Sequence, residues 1–364
     1  MQVLFVTQYG PRAASSRTRV FNYLPFLRDR GVDCEVITVL DDDMVGSQVI
    51  ASQHPMRKML YYLRAACRTL ACGVSAARRG ARFDVLFIQK VIFPAPVRWW
   101  LRRIPTPVVY DFDDAIFTTE IRSGHWLARW KERRNERGLP AMLALASHAV
   151  VENDYTGQVA SRFCPILTIT GPIDTRPYRD MEPRPESAGK EVVLGWIGSG
   201  STVGYLDRIH VPLQRLTERY AGLRLLVIGA QWSAPGVEVE CRGWGLEREP
   251  ADLAECDIGI MPVPDDPWTR GKGGYKLLQY MATALPVVTD PVGINTEIVV
   301  DGESGYLVDG DADWESALAR LIDDVDLRGR LGEAGRRRVE ARYSQHVQQD
   351  YLLKMLRKLA MAEA

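Results

Sequence analysis

The sequence lacks the cysteine and histidine patterns that hold disulfide-rich domains and zinc sites together. Its six cysteines are scattered, and neither a Cys-x-x-Cys pair nor a His-x-His unit occurs among its 364 residues. Their absence argues against a disulfide framework and against a structural zinc site. We therefore expect a reduced, cytoplasmic chain.

Long apolar runs are missing too. The longest nearly apolar stretch, LPAMLALASHAVV, is too short to span a bilayer. The first residues, MQVLFVTQYG, carry no basic segment ahead of their apolar residues, so we expect a buried strand there rather than a signal peptide. The length favours two domains, and the content of 46% hydrophobic and 25% charged residues is typical of a soluble globular protein.

The net charge is zero, but the charge is distributed unevenly. Residues 1–180 carry 25 Lys and Arg against 17 Asp and Glu, whereas residues 181–364 carry 21 against 29. This asymmetry indicates an anionic partner for the first half, or reflects compositional drift.

Tryptophan and arginine interleave over residues 57–137, where 17 basic residues stand against 7 acidic ones. The tryptophans are Trp99, Trp100, Trp126 and Trp130, and the last two share a helix face at a spacing of four. Such a surface suits an anionic membrane or a lipid-linked acceptor, but it equally suits ordinary packing with a solvated rim. Nucleic-acid binding is not expected, because there is neither a continuous basic stripe nor a known module.

Short apolar strands alternate with helices in both halves. Runs such as VLFVTQY, CEVITVL, FDVLFIQ and PVVYDF occur in the first half, and SSRTRVFNYLPFLRDRG reads as one helix between two of them. Strands that are apolar throughout predict parallel sheets covered on both faces. We expect an α/β chain with two doubly wound Rossmann-like domains in tandem, and an interdomain cleft at the carboxyl ends of the strands. The predicted boundaries are 1–180, a linker over 181–191, 192–343, and a helix over 344–364 that packs back toward the first domain.

The segment GWIGSGSTVG places Gly198, Gly200 and Gly204 between a strand and a helix. Backbone amides and the helix dipole at such a turn suit a phosphate group. A dehydrogenase would end its next strand with an acidic residue for the ribose, but RLLVIGA ends in Gly229 and Ala230. We therefore expect phosphate binding rather than NAD(P) chemistry.

A second glycine-rich segment, WTRGKGGYKLLQYMATALPVVTD, follows the predicted strand DIGIMPV. Gly271, Gly273 and Gly274 allow a ligand to approach the backbone closely. Lys272 and Lys276 are point charges that suit a diphosphate. An ordinary loop with solvated lysines is the alternative.

Carboxylates and arginines follow strands of the first half. Asp111, Asp113 and Asp114 come after PVVY, where a carboxylate could accept the proton of an attacking hydroxyl. The alternative is a structural aspartate that caps a helix or pairs with an arginine. Arg17 and Arg19 could reach a phosphate from the first loop, or could be solvated in a first helical turn.

The C-terminal segment KLLQYMATALPVVTDPVGINTEIVVDGESGYLV resembles the donor-binding signature of the retaining glycosyltransferases of family 4 (glycosyl transferases group 1), which have the GT-B fold. TGPIDTRPYRD resembles the end of the first domain in that family, and the similarity covers nearly the whole chain. The resemblance implies transfer of a sugar from a nucleoside-diphosphate sugar, bound by the second domain, to an acceptor hydroxyl on the first, with retention of anomeric configuration. It points to biosynthesis of cell-surface polysaccharide, glycolipid or secondary metabolites.

The chain departs from the family at several positions. The family's two glutamates, with seven residues between them, correspond to Gly271 and Gln279. The second glutamate holds the donor ribose, so we expect Gln279 to face the ribose and Gln279→Glu to be tolerated. Lys272, Asp265 or Asp266 would replace the first. The arginine and lysine that many members carry after the first strand of the second domain are also missing.

These considerations give one set of candidate residues for each role. The predicted catalytic residues are Asp111, Asp114, Lys272 and Lys276. The predicted acceptor or phosphate side comprises Arg17, Arg19 and Asp113. The predicted donor-binding residues are Gly198, Ser199, Gly200, Ser201, Thr202, Trp244, Arg270, Gly271, Lys272, Gly273, Gly274, Lys276 and Gln279.

We expect no metal and no cofactor, because the nucleotide sugar is a substrate. Asp-x-Asp is the metal motif of the other glycosyltransferase fold, GT-A, but two tandem doubly wound domains argue against that fold. A nucleotide-sugar epimerase and a non-catalytic nucleotide-sugar-binding protein are the alternative functions. The expected partners are the nucleotide sugar, a hydroxyl acceptor that is lipid-linked if the first domain lies on the inner face of the membrane, and that membrane itself.

Overall fold

A computed structural model describes residues 1–42, 55–118, 126–179, 181 and 191–362 of the chain. The chain divides into two compact units. The first unit comprises Met1–Pro172, Gly271–Gly273 and Gln348–Ala364, and the second comprises Ile173–Arg270 and Gly274–Val347. The first unit thus ends before the boundary predicted at residue 180 and includes a tripeptide and a C-terminal segment from the other half.

In the described part of the first unit, six strands form one parallel sheet in the order β2-β1-β3-β4-β5-β6. The strands are β1 (Gln2–Tyr9), β2 (Asp33–Leu40), β3 (Val85–Gln89), β4 (Val108–Asp111), β5 (His148–Val151) and β6 (Ile166–Thr168). The order reverses between β1 and β3, and the loops after these strands therefore flank the crevice where doubly wound sheets bind ligands.

Both faces of this sheet are buried. Leu4 and Val6 point into one apolar cluster, whereas Val3 and Phe5 point into another. The second cluster is completed by leucines of the last helix of the chain, including Leu352 and Leu356. This double coverage explains why the strands read as continuous apolar runs rather than as alternating ones.

Helices surround the sheet of the first unit. They are α1 (Ala14–Arg19), α2 (Leu24–Asp29), α3 (Pro55–Arg79), α4 (Ala95–Leu101), α5 (Trp126–Leu143) and α6 (Asp154–Ala160). The single helix predicted over SSRTRVFNYLPFLRDRG is wrong, because the chain leaves helical geometry at Val20, where φ is −133°. A short 3₁₀ turn, Phe21–Tyr23, precedes α2, and a proline stands in the first turn of α2, where its missing N–H costs least.

In the described part of the second unit, six parallel strands follow the order β12-β11-β10-β7-β8-β9. They are β7 (Val192–Ile197), β8 (Leu223–Ile228), β9 (Val239–Arg242), β10 (Ile258–Met261), β11 (Val287–Thr289) and β12 (Gly305–Leu307). The order reverses between β7 and β10, which therefore carry the two loops best placed to bind a ligand.

The second unit repeats the layered arrangement, with one apolar cluster containing Val193 and Leu226 and another containing Leu194 and Leu225. Its helices are α7 (Arg176–Arg179), α8 (His210–Arg219), α9 (Glu249–Ala254), α10 (Pro267–Arg270), α11 (Tyr275–Ala282), α12 (Asn295–Ile298), α13 (Asp311–Asp323) and α14 (Val325–Arg338). The last helix, α15, covers Gln345–Met361. The predicted pair of doubly wound α/β domains is confirmed.

Within the described ranges, no helix combines the length and apolarity needed to cross a bilayer. In the same residues, no group of three or more His, Cys, Asp or Glu side chains is arranged to hold a metal ion.

Candidate functional site

The strongest candidate site of the second unit lies where β7 and β10 end side by side. The loop that begins at Gly198 follows β7, and α11 is the second helix after β10. Lys276, in the first turn of α11, donates from Nζ to Thr202 Oγ1 at 3.4 Å and lies 4.0 Å from the centroid of the Trp196 ring. A Cβ added at Gly198 would lie 2.6 Å from Lys276 Nζ, so the glycine lets the ammonium group approach the loop. The structure therefore brings the predicted loop and one predicted lysine together.

The serines of this loop are open to solvent. Ser199 and Ser201 are exposed, with their hydroxyl oxygens 2.8 Å apart. A Cβ added at Gly200 would meet no atom within 4 Å. A charged ligand can therefore reach both the loop and the Lys276 ammonium group.

Gln279 is buried beside a carboxylate that sequence reasoning missed. Its side chain is 6% exposed, and Nε2 donates to Glu249 Oε1 at 2.6 Å. Glu249 also accepts from Tyr178 Oη and from Trp244 Nε1, each at 2.6 Å. The carboxyl group that Gln279 lacks, relative to the family glutamate, is therefore present next to it on Glu249. Glu249 comes from another helix, so no local pattern around Gln279 could have identified it.

The two aspartates that precede α10 have structural partners. Asp266 Oδ1 accepts from the backbone N–H groups of Trp268 and Thr269 at 2.9 and 2.8 Å, which caps the helix. Asp265 pairs with the exposed Arg270, with Nε and Oδ1 2.6 Å apart. These partners argue against either aspartate as a substitute for the family's first glutamate.

The tripeptide Gly271–Gly273 belongs to the first unit, where its two glycines pack closely. A Cβ at Gly271 would collide with Ala115, and one at Gly273 would collide with the Glu152 carboxylate. Asn153 Nδ2 donates to the carbonyl oxygen of Lys272 at 2.9 Å. Glycine at position 271 is thus explained by close packing. Lys272 and Lys276 fall in different units.

A buried ion network corrects two predictions for the first unit. Arg19 binds Asp111 with Nε and Nη2, at 3.0 and 2.6 Å from Oδ2, and its Nη1 lies 2.8 Å from Glu152 Oε2. Nη1 also donates to the carbonyl oxygen of Ile169 at 2.5 Å. Arg19 is therefore not placed to reach a phosphate. Asp111, only 1% exposed, is not placed to take a proton from an acceptor, so the alternative of a structural aspartate paired with an arginine is the one observed.

In this network the Arg19 guanidinium pairs with the carboxylates of both Asp111 and Glu152. Burial raises the pKa of Asp111 to about 6 and the pKa of Glu152 to about 7, although Arg19 opposes both shifts. Glu152 Oε1 accepts from the backbone N–H of Gly171 at 2.7 Å, which stabilises the charged form further. The network joins the ends of β4 and β5 to α1.

The other two aspartates are held by Lys90, which sequence reasoning also missed. Lys90 Nζ lies 2.6 Å from Asp113 Oδ1 and 2.7 Å from Asp114 Oδ2. Burial alone would raise the pKa of Asp113, but the Lys90 ammonium outweighs it and holds that pKa below its usual range. The Asp114 side chain remains 28% exposed, so it is the more accessible of the two carboxylates.

Lys90 stands directly after β3 with φ of +63°, a left-handed conformation that a non-glycine residue adopts at a cost. Its backbone N–H donates to the Asp111 carbonyl oxygen at 2.8 Å, which holds that conformation. Arg17 is partly exposed on α1, and its Nη1 donates to the Arg12 carbonyl oxygen at 3.0 Å. The described edge of the first sheet therefore offers a lysine and two carboxylates to a polar ligand.

Residues 192–324 match the sequence model of the family described as glycosyl transferases group 1. Two similar curated proteins are both D-inositol 3-phosphate glycosyltransferases. The protein from Arthrobacter sp. (strain FB24) is 36% identical over 97 residues, which is 26% of this chain and 20% of that protein. The protein from Corynebacterium urealyticum is 30% identical over 202 residues, which is 46% of this chain and 45% of that protein. The chain thus spans less than half the length of these relatives.

Solved structures match over the whole fold at low identity. Sucrose-phosphate synthase from Thermosynechococcus elongatus superposes with a TM-score of 0.73 at 15% identity, covering 100% of both chains. HepE of Anabaena, solved in complex with UDP, gives a TM-score of 0.60 at 14% identity and covers 98% of this chain and 100% of its own. The chain has the GT-B fold, and residues 192–324 are similar to the glycosyl transferases group 1 family.

Proposed function

We propose that this protein transfers a glycosyl group from a nucleoside-diphosphate sugar to an acceptor hydroxyl, with retention of anomeric configuration. The observation that carries the proposal is the Lys276 ammonium group, held against the open loop at Gly198–Thr202 where the strand order reverses. A cation and an exposed glycine-containing turn at that edge suit the diphosphate of a nucleotide sugar.

The proposed chemistry depends on the nucleoside diphosphate, which is the leaving group of the reaction. The bond from the anomeric carbon to the diphosphate oxygen breaks as the acceptor oxygen bonds to that carbon. The diphosphate carries away the electron pair and takes up the proton of the acceptor hydroxyl. Lys276 and the amides of the 198–202 loop would stabilise the charge that develops on the departing oxygen. Lys272 of the first unit also stays a proposed catalytic cation, and its carbonyl oxygen accepts from Asn153 Nδ2 at 2.9 Å.

Acceptor binding is proposed for the edge of the first sheet. Asp114 is the most exposed carboxylate of the described cluster and is anchored by Lys90. It can accept a hydrogen bond from an acceptor hydroxyl and orient that hydroxyl for attack. Asp111 is left with a structural role because of its burial against Arg19.

A uridine nucleotide is the first donor to test. HepE of Anabaena was solved with UDP, with UDP and glucose, and with UDP-glucose. The curated relatives act on D-inositol 3-phosphate, as their names state, and it is the first acceptor to test. The aligned segments cover less than half of this chain, so a lipid-linked acceptor belongs in the same panel.

Peripheral attachment to the inner face of the membrane is proposed for the first unit, and the exposed side of α3 supports it. Four apolar side chains at positions 56, 59, 60 and 63 form one face of this helix, and each is between 60% and 75% exposed. Arg57 and Arg64 are exposed on the same helix, and Trp99 is exposed beside Arg103 on the neighbouring α4 region. Apolar and basic side chains together suit an anionic bilayer surface. The side chains of Trp126 and Trp130 lie outside the described residues.

The direct test follows the donor with and without an acceptor. UDP-glucose, UDP-N-acetylglucosamine and GDP-mannose are incubated with the protein, and the released nucleoside diphosphate is measured by ³¹P NMR. A transferase releases the diphosphate faster when the correct acceptor is present. An epimerase converts the sugar without any acceptor, and a binding protein shifts its melting temperature with the nucleotide but leaves the donor intact.

A further inference from the structure

One tryptophan of the second unit, Trp244, is partly exposed. Trp244 follows β9 and is 42% exposed, whereas Trp196 and Trp314 of the same unit are fully buried. The polar edge of the Trp244 indole is already bonded, because Nε1 donates to Glu249 Oε2 at 2.6 Å. The hydrogen-bonding atom of this ring is therefore already occupied.

This indole stands next to the loop that we propose for the diphosphate. Gly229, at the end of β8, has φ of +90°, and a Cβ there would collide with the Gly198 carbonyl oxygen and lie 3.1 Å from Trp244 Cβ. The carboxyl ends of β7, β8 and β9 thus bring Gly198, Gly229 and Trp244 together. A nucleotide with its diphosphate on the Gly198 loop would have an aromatic surface within reach.

Glu249 holds both the Trp244 indole and Gln279, a second side chain that could contact a ligand. It is buried, and its two oxygens accept from Trp244, from Gln279 and from Tyr178, all at 2.6 Å. Gln279 lies on α11, one turn after Lys276. Because these donors occupy the carboxylate, Glu249 acts on a ligand through Trp244 and Gln279 rather than by direct contact.

We infer that Trp244 stacks against the base of the nucleotide and that Glu249 is the residue that positions its ring. The inference rests on the proposed use of a nucleotide sugar. Stacking of a base on an aromatic side chain contributes substantially to affinity and tolerates different bases, because every base has a π-face. The bond to Glu249 holds the indole in one orientation before the ligand arrives, which lowers the entropic cost of stacking.

The test separates the base from the diphosphate. UDP, GDP, ADP and dTDP are titrated into the wild-type protein by calorimetry, and the tightest one is compared with its nucleoside and with pyrophosphate. Trp244→Ala should weaken the nucleoside and the nucleoside diphosphate by the same factor, about 5- to 150-fold. Pyrophosphate binding should be unchanged, and Trp244→Phe should retain only part of the affinity, because a ring face remains but the bond that orients it is lost.

Trp232 gives the matched control. Its Nε1 also donates to a carboxylate, Asp207 Oδ1 at 2.8 Å, but its ring packs against the apolar cluster of the second unit. A folded Trp232→Ala variant should keep the wild-type affinity within about twofold. Thermal unfolding establishes that each variant is folded before it is titrated.

Glu249→Gln tests the positioning role. The amide cannot accept from every partner of the carboxylate, so nucleoside binding should weaken, and the effect should shrink in a Trp244→Phe background, where there is no N–H to hold. An equal effect in both backgrounds would make Glu249 a general structural residue.

Unchanged nucleoside affinity in a folded Trp244→Ala variant would overturn the stacking role alone. A wild-type protein that binds none of the four nucleotides would overturn the proposed function and the stacking role with it.

Discussion

At the scale of single residues, Gln279 shows how a partner that is distant in sequence changes the role of a side chain. From the sequence, a glutamine at a family glutamate position predicts that Gln279→Glu is tolerated. The structure reverses that expectation, because Gln279 Nε2 is a donor to the buried Glu249 carboxylate. A glutamate at position 279 would place two carboxylates together in a buried site.

Gln279→Glu should therefore destabilise the protein by on the order of 2–5 kcal/mol at neutral pH. The shared site raises the folded-state pKa of the carboxyl pair above the unfolded value of about 4.3, so the deficit should be small near pH 4 and should grow as the pH rises. Thermal unfolding at several pH values measures it. Gln279→Met, which removes the donor without adding charge, should show a deficit that is nearly independent of pH; an equal profile for both variants would contradict this account.

Lys90 and Glu249 could not have been found from local patterns. Lys90 lies in a run of apolar residues after β3. The neighbouring sequence does not indicate that Lys90 adopts a left-handed backbone conformation or that its side chain pairs with Asp113 and Asp114. Glu249 is a first-turn helix residue whose partners lie 5, 30 and 71 positions away. Asp111 was left open between a catalytic and a structural role because the choice depends on Arg19, which lies 92 residues earlier.

At the scale of elements, the Arg19–Asp111–Glu152 network predicts a pH dependence of stability. Burial raises the pKa of Glu152 to about 7 in the folded protein, above the unfolded value of about 4.3. The folded state therefore holds this proton more tightly, and the contribution of Glu152 to stability falls as the pH rises from about 4.3 to 7 and is constant above.

Glu152→Gln removes this titration and keeps an oxygen for the Gly171 N–H. Relative to the wild type, the free energy of unfolding of the variant should increase by on the order of 2–3 kcal/mol as the pH rises from 4.5 to 7.5. Chemical denaturation of both proteins across that range provides the measurement. Parallel stability curves would show that Glu152 does not titrate there.

The exposed face of α3 predicts attachment to anionic bilayers. A Leu60→Glu, Leu63→Glu double variant should lose binding to phosphatidylglycerol vesicles by about tenfold or more, because it removes two apolar contacts and adds two like charges. Co-sedimentation at low salt measures this, and binding should fade with added salt. A Val325→Glu, Met361→Glu double variant adds the same charge at exposed apolar sites elsewhere and serves as the control. If the wild-type protein stays in the supernatant at low salt, the membrane proposal is contradicted.

The elements themselves were largely predictable, and the reason is physical. Each parallel strand is buried on both faces, so its sequence is a short apolar run bounded by turns, as in VVLGWIG for β7 and DIGIMPV for β10. The apolar pattern in YKLLQYMA likewise predicts a helix, and the structure has one at Tyr275–Ala282. The single helix after β1 failed because Val20 and Pro25 interrupt it, which periodicity alone does not register.

At the scale of the whole molecule, the repeated pattern of strands and helices was enough to predict two doubly wound domains, but not how the chain is divided between them. Gly271–Gly273 joins the first unit although it interrupts the second in sequence, and Gln348–Ala364 joins the first unit although it follows the second. The leucines of α15 complete a cluster with Val3 and Phe5, a pairing between the two ends of the chain that no local pattern carries.

The central claim is that the loop at 198–202 and Lys276 bind the diphosphate of a nucleotide sugar. Calorimetric titration of UDP and uridine into the wild type and Lys276→Ala tests it most directly, with GDP and guanosine as the second pair and the exposed Arg330→Ala as the control for loss of a cation. The account predicts that Lys276→Ala weakens the binding of UDP by about 1–3 kcal/mol, which is the range for removing a charged hydrogen-bond partner. The affinity of this variant for uridine, and the affinity of Arg330→Ala for UDP, should stay at the wild-type level. An equal loss for UDP and uridine, or no loss for either, would contradict it.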